Sequence, residues 1–135
     1  MSLPIVLITG QLLTDAVWQP LLDAWRDREV IVADNRNGET IGDMAQDLLD
    51  SAPAKFILIG HAMGGFVAFD VMRRAPERVE KLILLSTLAS ADGPAQTTRR
   101  QGYIDLVESG KFDHVVEERI PILFPEAKRD DQRLL

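Results

Sequence analysis

A parallel β-sheet covered by helices is the architecture this sequence predicts, and three observations carry the prediction. Short apolar runs alternate with segments of helical period. The connections between them are brief, and the runs themselves are continuous rather than alternating with polar residues. Continuous Val/Ile/Leu runs mark strands buried on both faces, and strand–helix alternation implies parallel neighbours joined by right-handed crossovers. The chain has 135 residues, enough for one domain with a real core. Its 46% apolar and 27% charged residues have the balance of a folded protein and not of a disordered one.

Taken in order, Ile5-Val6-Leu7-Ile8 is an apolar run bounded by Pro4 and Gly10 and reads as a buried strand. Thr14 and Asp15 offer a helix start, after which Val17, Trp18, Leu21, Leu22 and Trp25 recur at helical spacing. Val30-Ile31-Val32-Ala33 is expected to be a second buried strand, and Asp34-Asn35-Arg36-Asn37-Gly38 is a loop by composition. Thr40 with Asp43 resembles a capping box, opening a helix whose stripe is Ile41, Met44, Ala45, Leu48 and Leu49. Phe56-Ile57-Leu58-Ile59 is the third strand, a helix runs from about Met63 to Arg74 before Pro76, and Lys81 to Leu85 is the fourth strand. Strands are therefore expected near residues 4–9, 29–33, 55–60 and 81–86. Beyond Thr87 the composition shifts. Residues 88–96 are small and polar, and the remainder, with Tyr103, Ile104, Leu106, Val107, Val115, Val116 and Ile120, reads as short amphipathic helices without further strands.

Charge and composition remove several classes of function. With 15 Lys and Arg against 21 Asp and Glu, the formal net charge is −6, and no basic block is present. Neither nucleic acid nor an anionic membrane is an expected partner. No apolar run nears the roughly 18 residues that span a bilayer, and the opening Met1-Ser2-Leu3-Pro4 lacks a basic signal-peptide region. A cytoplasmic protein is the expectation. There are no cysteines and only two histidines, His61 and His114, so no metal site and no cofactor are expected. Asp34 after the second strand suits the acidic residue of a dinucleotide site, but Gly10-Gln11-Leu12-Leu13-Thr14-Asp15 lacks the second and third glycines of such a loop. Asp34 is read instead as a loop-capping residue. Leu12, Leu13 and Trp18 are candidates to line an apolar pocket, with Trp18 equally suited to the core.

Chemistry concentrates at the third strand-to-helix junction, Ile59-Gly60-His61-Ala62-Met63-Gly64-Gly65. A sharp strand-to-helix turn with glycines two residues either side of a central position has the geometry of a nucleophile elbow. Its central residue is forced to positive φ, and side chains at the flanking positions would collide with a neighbouring strand or helix. Ala62 occupies the centre and has no nucleophilic atom.

Gly60-His61-Ala62-Met63-Gly64-Gly65 resembles the Gly-His-Ser-Met-Gly-Gly elbow of the α/β-hydrolase family with one substitution. Thr9-Gly10 closing the first strand, Trp18, Asp34, and Ala75-Pro76-Glu77-Arg78-Val79 leading into Leu82-Ile83-Leu84-Leu85 agree with it, so the likeness extends over about residues 3–90. The resemblance implies the strand order 2-1-3-4. It also implies residues 1–90 as the N-terminal part of the hydrolase core and residues 91–135 as the beginning of a helical cap. For the site, it implies Ala62 at the nucleophile position, where Ser is expected. The oxyanion donors would be the backbone N–H groups of Met63 and of Gln11 or Leu12, and Gly60, His61, Gly64 and Gly65 would form the elbow.

The family's acid and general-base His follow the cap, in the order Ser, acid, His. The expectation is therefore a chain corresponding to the N-terminal half of a hydrolase, without those two residues. His61 is read as packing beneath the elbow and His114 as a surface residue; neither matches the base position. The function implied is that of a relative of serine esterases and acyl hydrolases, with a small ester-like substrate in the parent and no turnover with Ala62. Ala62 is compatible with a replacement made to arrest turnover or with a natural change in a non-catalytic relative. The alternative is a binding or oligomerising protein, because a fourth strand left at the sheet edge invites a second copy or a separate C-terminal half.

Overall fold

In the computed structural model, which describes residues 2–131, the four expected strands form one sheet. They are β1 (Ile5–Ile8), β2 (Val30–Val32), β3 (Phe56–His61) and β4 (Val79–Leu85). All pairings are parallel and the order is β2-β1-β3-β4. Between them lie α1 (Gln19–Ala24), α2 (Ile41–Ser51) and α3 (Met63–Arg74). The chain divides into two compact units between Ala89 and Ser90.

Strand periodicity explains how the sheet is covered on both sides. Successive side chains of a strand point to opposite faces. Val6 and Ile8 pack with Phe56, Leu58, Leu48, Val67 and Val71, under α2 and α3. Ile5 and Leu7 go to the other face with Ile59 and Trp18, against Leu21, Leu22 and Trp25 of the first helical segment. Each fully buried aliphatic side chain here contributes about 1.5–3 kcal/mol relative to exposure. The capping box forms as read: the Thr40 hydroxyl accepts the Asp43 N–H at 3.1 Å, and the Asp43 carboxylate accepts the Thr40 N–H at 3.0 Å.

Several expectations need correction. β2 is only half-buried along its length, because it forms one edge of the sheet and has a single neighbour. The first helix is not continuous. Thr14 caps a 3₁₀ turn over Asp15–Trp18, and α1 starts afresh at Gln19. Pro20 lacks an N–H and is tolerated only in a helix's first turn, so it sets that restart. β4 begins at Val79 rather than Lys81, with Glu80 bulged between the Phe56–Val79 and Ile57–Lys81 pairs. β3 extends one residue further than expected, to His61.

The second unit holds α4 (Pro94–Glu108) and α5 (Phe112–Leu123). α4 is longer than the short helices expected and starts inside the small, polar stretch of residues 88–96. Pro94 is suited to a first helical turn, and Gln96 accepts the Gly93 N–H at 2.9 Å. Met1 and residues 132–135, which the expected domains include, lie outside the described residues.

Arg78, at the entry to β4, ties the sheet to the end of α2. Its guanidinium donates to the carbonyls of Leu49, Ala52 and Pro53 at 2.7–2.8 Å and lies 5.6 Å from the centre of the Phe56 ring. A cation suits the negative end of a helix whose last turn has no basic residue of its own. Arg78→Leu should lower the free energy of unfolding by about 2–3 kcal/mol, the cost of stranding carbonyls that had charged donors. Arg78→Lys should recover only part of that, because one ammonium cannot reproduce the guanidinium fork. Urea midpoints at unchanged slope would measure both.

Candidate functional site

The site grows out of the turn from β3 into α3. Ala62 sits between them with φ 51° and ψ −115°, a conformation that residues with a Cβ rarely adopt. The turn must be this tight because α3 starts directly against the sheet. A Cβ on Gly64 would lie 2.2 Å from the Ile8 carbonyl oxygen, and one on Gly60 would lie 2.7 Å from the Gly64 oxygen. Backbone contacts of this closeness leave room for nothing but glycine. Strain of this kind costs about 1–3 kcal/mol and persists only when the surroundings over-determine it. Here the Ala62 N–H donates to Leu85 at 3.0 Å, and its carbonyl accepts the Gly65 N–H at 3.0 Å and the Thr87 hydroxyl at 2.7 Å.

The loop after β1 meets this turn. A Cβ on Gly10 would stand 3.0 Å from the Ala62 Cβ and 3.1 Å from His61 Nδ1, so the Thr9-Gly10 backbone lies directly beside position 62. Two hydrogen bonds, one buried and one partly buried, hold that loop. Trp18 Nε1 donates to Thr9 Oγ1 at 2.9 Å, and Asn35 donates to the Thr9 carbonyl at 3.2 Å. Leu12 takes a φ of 61°, which turns the chain over the strand ends.

A groove of about 780 Å³ opens at these strand ends, between the loops that follow β1 and β2. Gln11, Leu12, Leu13, Val32, Met44 and Met63 contribute to its wall, with Asp34 and Arg36 on the β2 side. Its size is within the range of small-molecule sites. Asp34 caps its own loop, accepting the Arg36 N–H at 3.0 Å and pairing with the Arg36 guanidinium at 2.8 Å. Those hydrogen bonds hold the Asp34 carboxyl down at about 2, so it stays ionised through the neutral range. His61 is half-buried, packs edge-on against Trp18 and leaves Nδ1 buried without a partner among the described residues. Burial pushes the His61 pKa below its ordinary value and keeps the ring neutral at pH 7.

The structure thus brings Gln11, His61, Ala62 and Met63 to one end of the sheet, with Gly60, Gly64 and Gly65 beneath. His114 stands exposed in α5 of the second unit. Trp18 resolves as core, 3% exposed, whereas Leu12 and Leu13 line the groove. Thr87 and Asn35 were not singled out from the sequence. Polar residues just beyond the ends of parallel strands are the signal that pointed to them. Among the described residues, no group of three or more His, Asp or Glu is arranged to hold a metal ion. No helix among them is long and apolar enough to cross a membrane.

Comparison with known proteins places this geometry among hydrolases. No family model matches the chain. "Putative carbamate hydrolase RutD" of Agrobacterium fabrum is 30% identical over 138 residues, covering 91% of this chain and 52% of that protein. "Pimeloyl-[acyl-carrier protein] methyl ester esterase" of Vibrio parahaemolyticus is 33% identical over 92 residues, covering 62% of this chain and 36% of that protein. Among solved structures, a thermophilic esterase from Thermogutta terrifontis superposes with a TM-score of 0.84 at 31% identity, over 97% of this chain and 54% of its own. The chain therefore spans about half the length of the curated relatives it matches first.

Two outcomes follow from this geometry. Ala62→Gly should stabilise the fold by about 1 kcal/mol, the relieved strain exceeding the entropy a glycine loses on folding. Gly64→Ala should cost more than about 3 kcal/mol, because its Cβ has only the Ile8 carbonyl to displace. Denaturant titration of both variants provides the check. The second outcome concerns His61. Its folded pKa lies below the unfolded one, so the unfolded chain binds the extra proton and stability is lost as pH falls through the ordinary histidine range near 6.5. Stability should therefore begin to decline as pH falls through the ordinary histidine range, and His61→Asn should flatten that decline. An unchanged slope in the variant would remove His61 as its source.

Proposed function

The chain belongs to the α/β-hydrolase family, and from that premise we propose that the turn from β3 to α3 is its acyl-hydrolase elbow. Position 62 is the nucleophile position, and the N–H groups of Met63 and Gln11 are the donors to the developing oxyanion. The observation that carries this reading is the positive φ of Ala62 between two glycines that admit no side chain. Strain of this kind clusters at functional sites, and here it falls at the centre of the strand-to-helix turn. The relatives' names support the class of reaction: a carbamate hydrolase and a methyl ester esterase both cleave at an acyl carbon. The proposed ligand is a small ester or related acyl compound lodged in the groove beside Met63.

In a serine-bearing form of this site, the hydroxyl oxygen attacks the carbonyl carbon as a base takes its proton. The two N–H groups stabilise the alkoxide, and the leaving group departs with the proton from that base. Ala62 supplies no oxygen for the first of these steps. Among the described residues, His61 Nδ1 is buried without a hydrogen-bond partner to orient it as a base, and His114 stands exposed in the second unit. The reading is therefore of a chain that binds an acyl ligand and does not turn it over. Loss of the nucleophile typically costs on the order of a millionfold in kcat.

A second reading, a binding or oligomerising protein on this scaffold, is favoured by β4. That strand is a sheet edge and exposes Ile83, Leu84 and Leu85, at 36–42% of their surface. Sedimentation of the purified chain separates the readings, since the second requires self-association or a captured partner. The first is tested chemically. A serine-directed fluorophosphonate should leave the chain unlabelled. Ala62→Ser should hydrolyse a short-chain aryl ester above the level of the unaltered chain, reaching roughly 10³-fold over water and no more without an oriented base. Labelling of the unaltered chain at Ser86, with ester turnover, would overturn the assignment of position 62.

A further inference from the structure

Thr87 has no part in the roles assigned so far, yet it makes the most specific contact at the turn. It follows Ser86, whose φ of 48° redirects the chain just beyond β4. Its hydroxyl donates to the Ala62 carbonyl at 2.7 Å. Its side chain fills the space in front of Gly65, where a Cβ would lie 2.2 Å from Thr87 Oγ1 and 2.6 Å from Cγ2. The same carbonyl accepts the Gly65 N–H, and the Ala62 N–H donates to Leu85. The end of β4 therefore holds position 62 from both of its peptide groups.

The consequence follows from peptide geometry. The carbonyl of residue 62 and the N–H of residue 63 belong to one planar trans unit and point in opposite directions. Fixing the oxygen fixes the direction of the hydrogen. At the start of α3 the Met63 N–H has no intrahelical partner, so its direction is set through the Ala62 oxygen, which the Gly65 N–H and the Thr87 hydroxyl hold together. We propose that Thr87 is the positioning residue of this site: by clamping the Ala62 carbonyl it sets the 62–63 peptide plane and aims the Met63 N–H into the groove. The threonine does two jobs. Its hydroxyl supplies the bond, and its methyl group packs where Gly65 leaves room. The aim of the N–H rests on the proposed oxyanion role of Met63, whereas the clamp does not.

The test uses the protein as it stands, uniformly labelled with nitrogen-15. Thr87→Val keeps the shape and deletes the hydroxyl; Thr87→Ser keeps the hydroxyl. In Thr87→Val, hydrogen exchange at the Ala62 and Gly65 amides should accelerate about tenfold relative to the Leu7 amide of β1, and Thr87→Ser should restore it. Acceleration that is equal at Leu7, or absent, overturns the clamp. Thr87→Ala serves as the hydroxyl-free variant if Thr87→Val does not fold. A second arm titrates butylphosphonate, a tetrahedral anion, and follows the Met63 amide resonance. Its Kd should rise at least about fivefold in the hydroxyl-free variant and recover in Thr87→Ser. Equal binding in all three overturns the positioning role. Failure of the unaltered protein to bind the anion, with the exchange effect intact, leaves the clamp standing and removes the oxyanion reading of Met63.

Discussion

The close approach of α3 to β1 is the constraint on which the rest of the site depends. Gly64 sets its Cα against the Ile8 carbonyl, where even a methyl group would overlap the oxygen. With the helix that near, the chain leaving β3 has no room for a loop and must reverse direction within one residue. Position 62 absorbs the reversal as a positive φ. The glycines at 60 and 64 are therefore the cause of the strain at 62 rather than its accompaniment. They allow the helix to seat, and the seated helix imposes the turn.

The order of strands decides what lies beside that turn. The chain leaves β1 toward β2 on one side and leaves β3 toward β4 on the other, so the loops after β1 and β3 diverge where the strand order switches. Thr9-Gly10 and His61-Ala62 are the residues that reach it. Hydrogen bonds that Trp18 and Asn35 donate to Thr9 stiffen one wall, and the bonds of Ala62 with the Leu85 carbonyl and the Thr87 hydroxyl stiffen the other. Each net bond is modest, about 0.5–1.5 kcal/mol. Together they are of the order of the strain they oppose, which is why the unusual backbone angle is stable. His61 belongs to this support as well. Its ring lies between the Gly10 backbone and Trp18, and burial holds it neutral, so it packs there without carrying an uncompensated charge.

Much of this was legible in the sequence, because the relevant signals are local. Uninterrupted runs such as Ile5-Val6-Leu7-Ile8 define strands buried on both faces, and the glycine spacing around Ala62 defines the turn without any long-range information. The Thr40–Asp43 cap is likewise a contact between residues three apart. What escaped were effects set by the sheet as a whole. Val30–Val32 has the composition of a central strand yet lies half-buried at an edge, since composition does not say how many neighbours a strand acquires. The bulge at Glu80 depends on register with Phe56 and Ile57. Thr87 is a small polar residue after a strand by any local measure. Its contact with Ala62 exists only because β4 pairs beside β3. The apolar spacing from Val17 to Trp25 suggests one helix, and the missing N–H of Pro20 divides it.

A final point concerns why the turn keeps its form with alanine at its centre. A serine there would gain nothing from its hydroxyl in forming the backbone conformation, since the contacts that fix φ and ψ at 62 come from the Leu85 carbonyl, the Gly65 N–H and the Thr87 hydroxyl. None of them touches the side chain at 62. The backbone of this turn and the side chain it presents are thus specified by different residues. Alanine also retains a Cβ, and with it the full steric cost of positive φ, so the strain remains when the side chain's chemistry does not. Gly60, Gly64 and the backbone partners of Ala62 hold the turn in this form, and none of them depends on what the side chain at 62 carries.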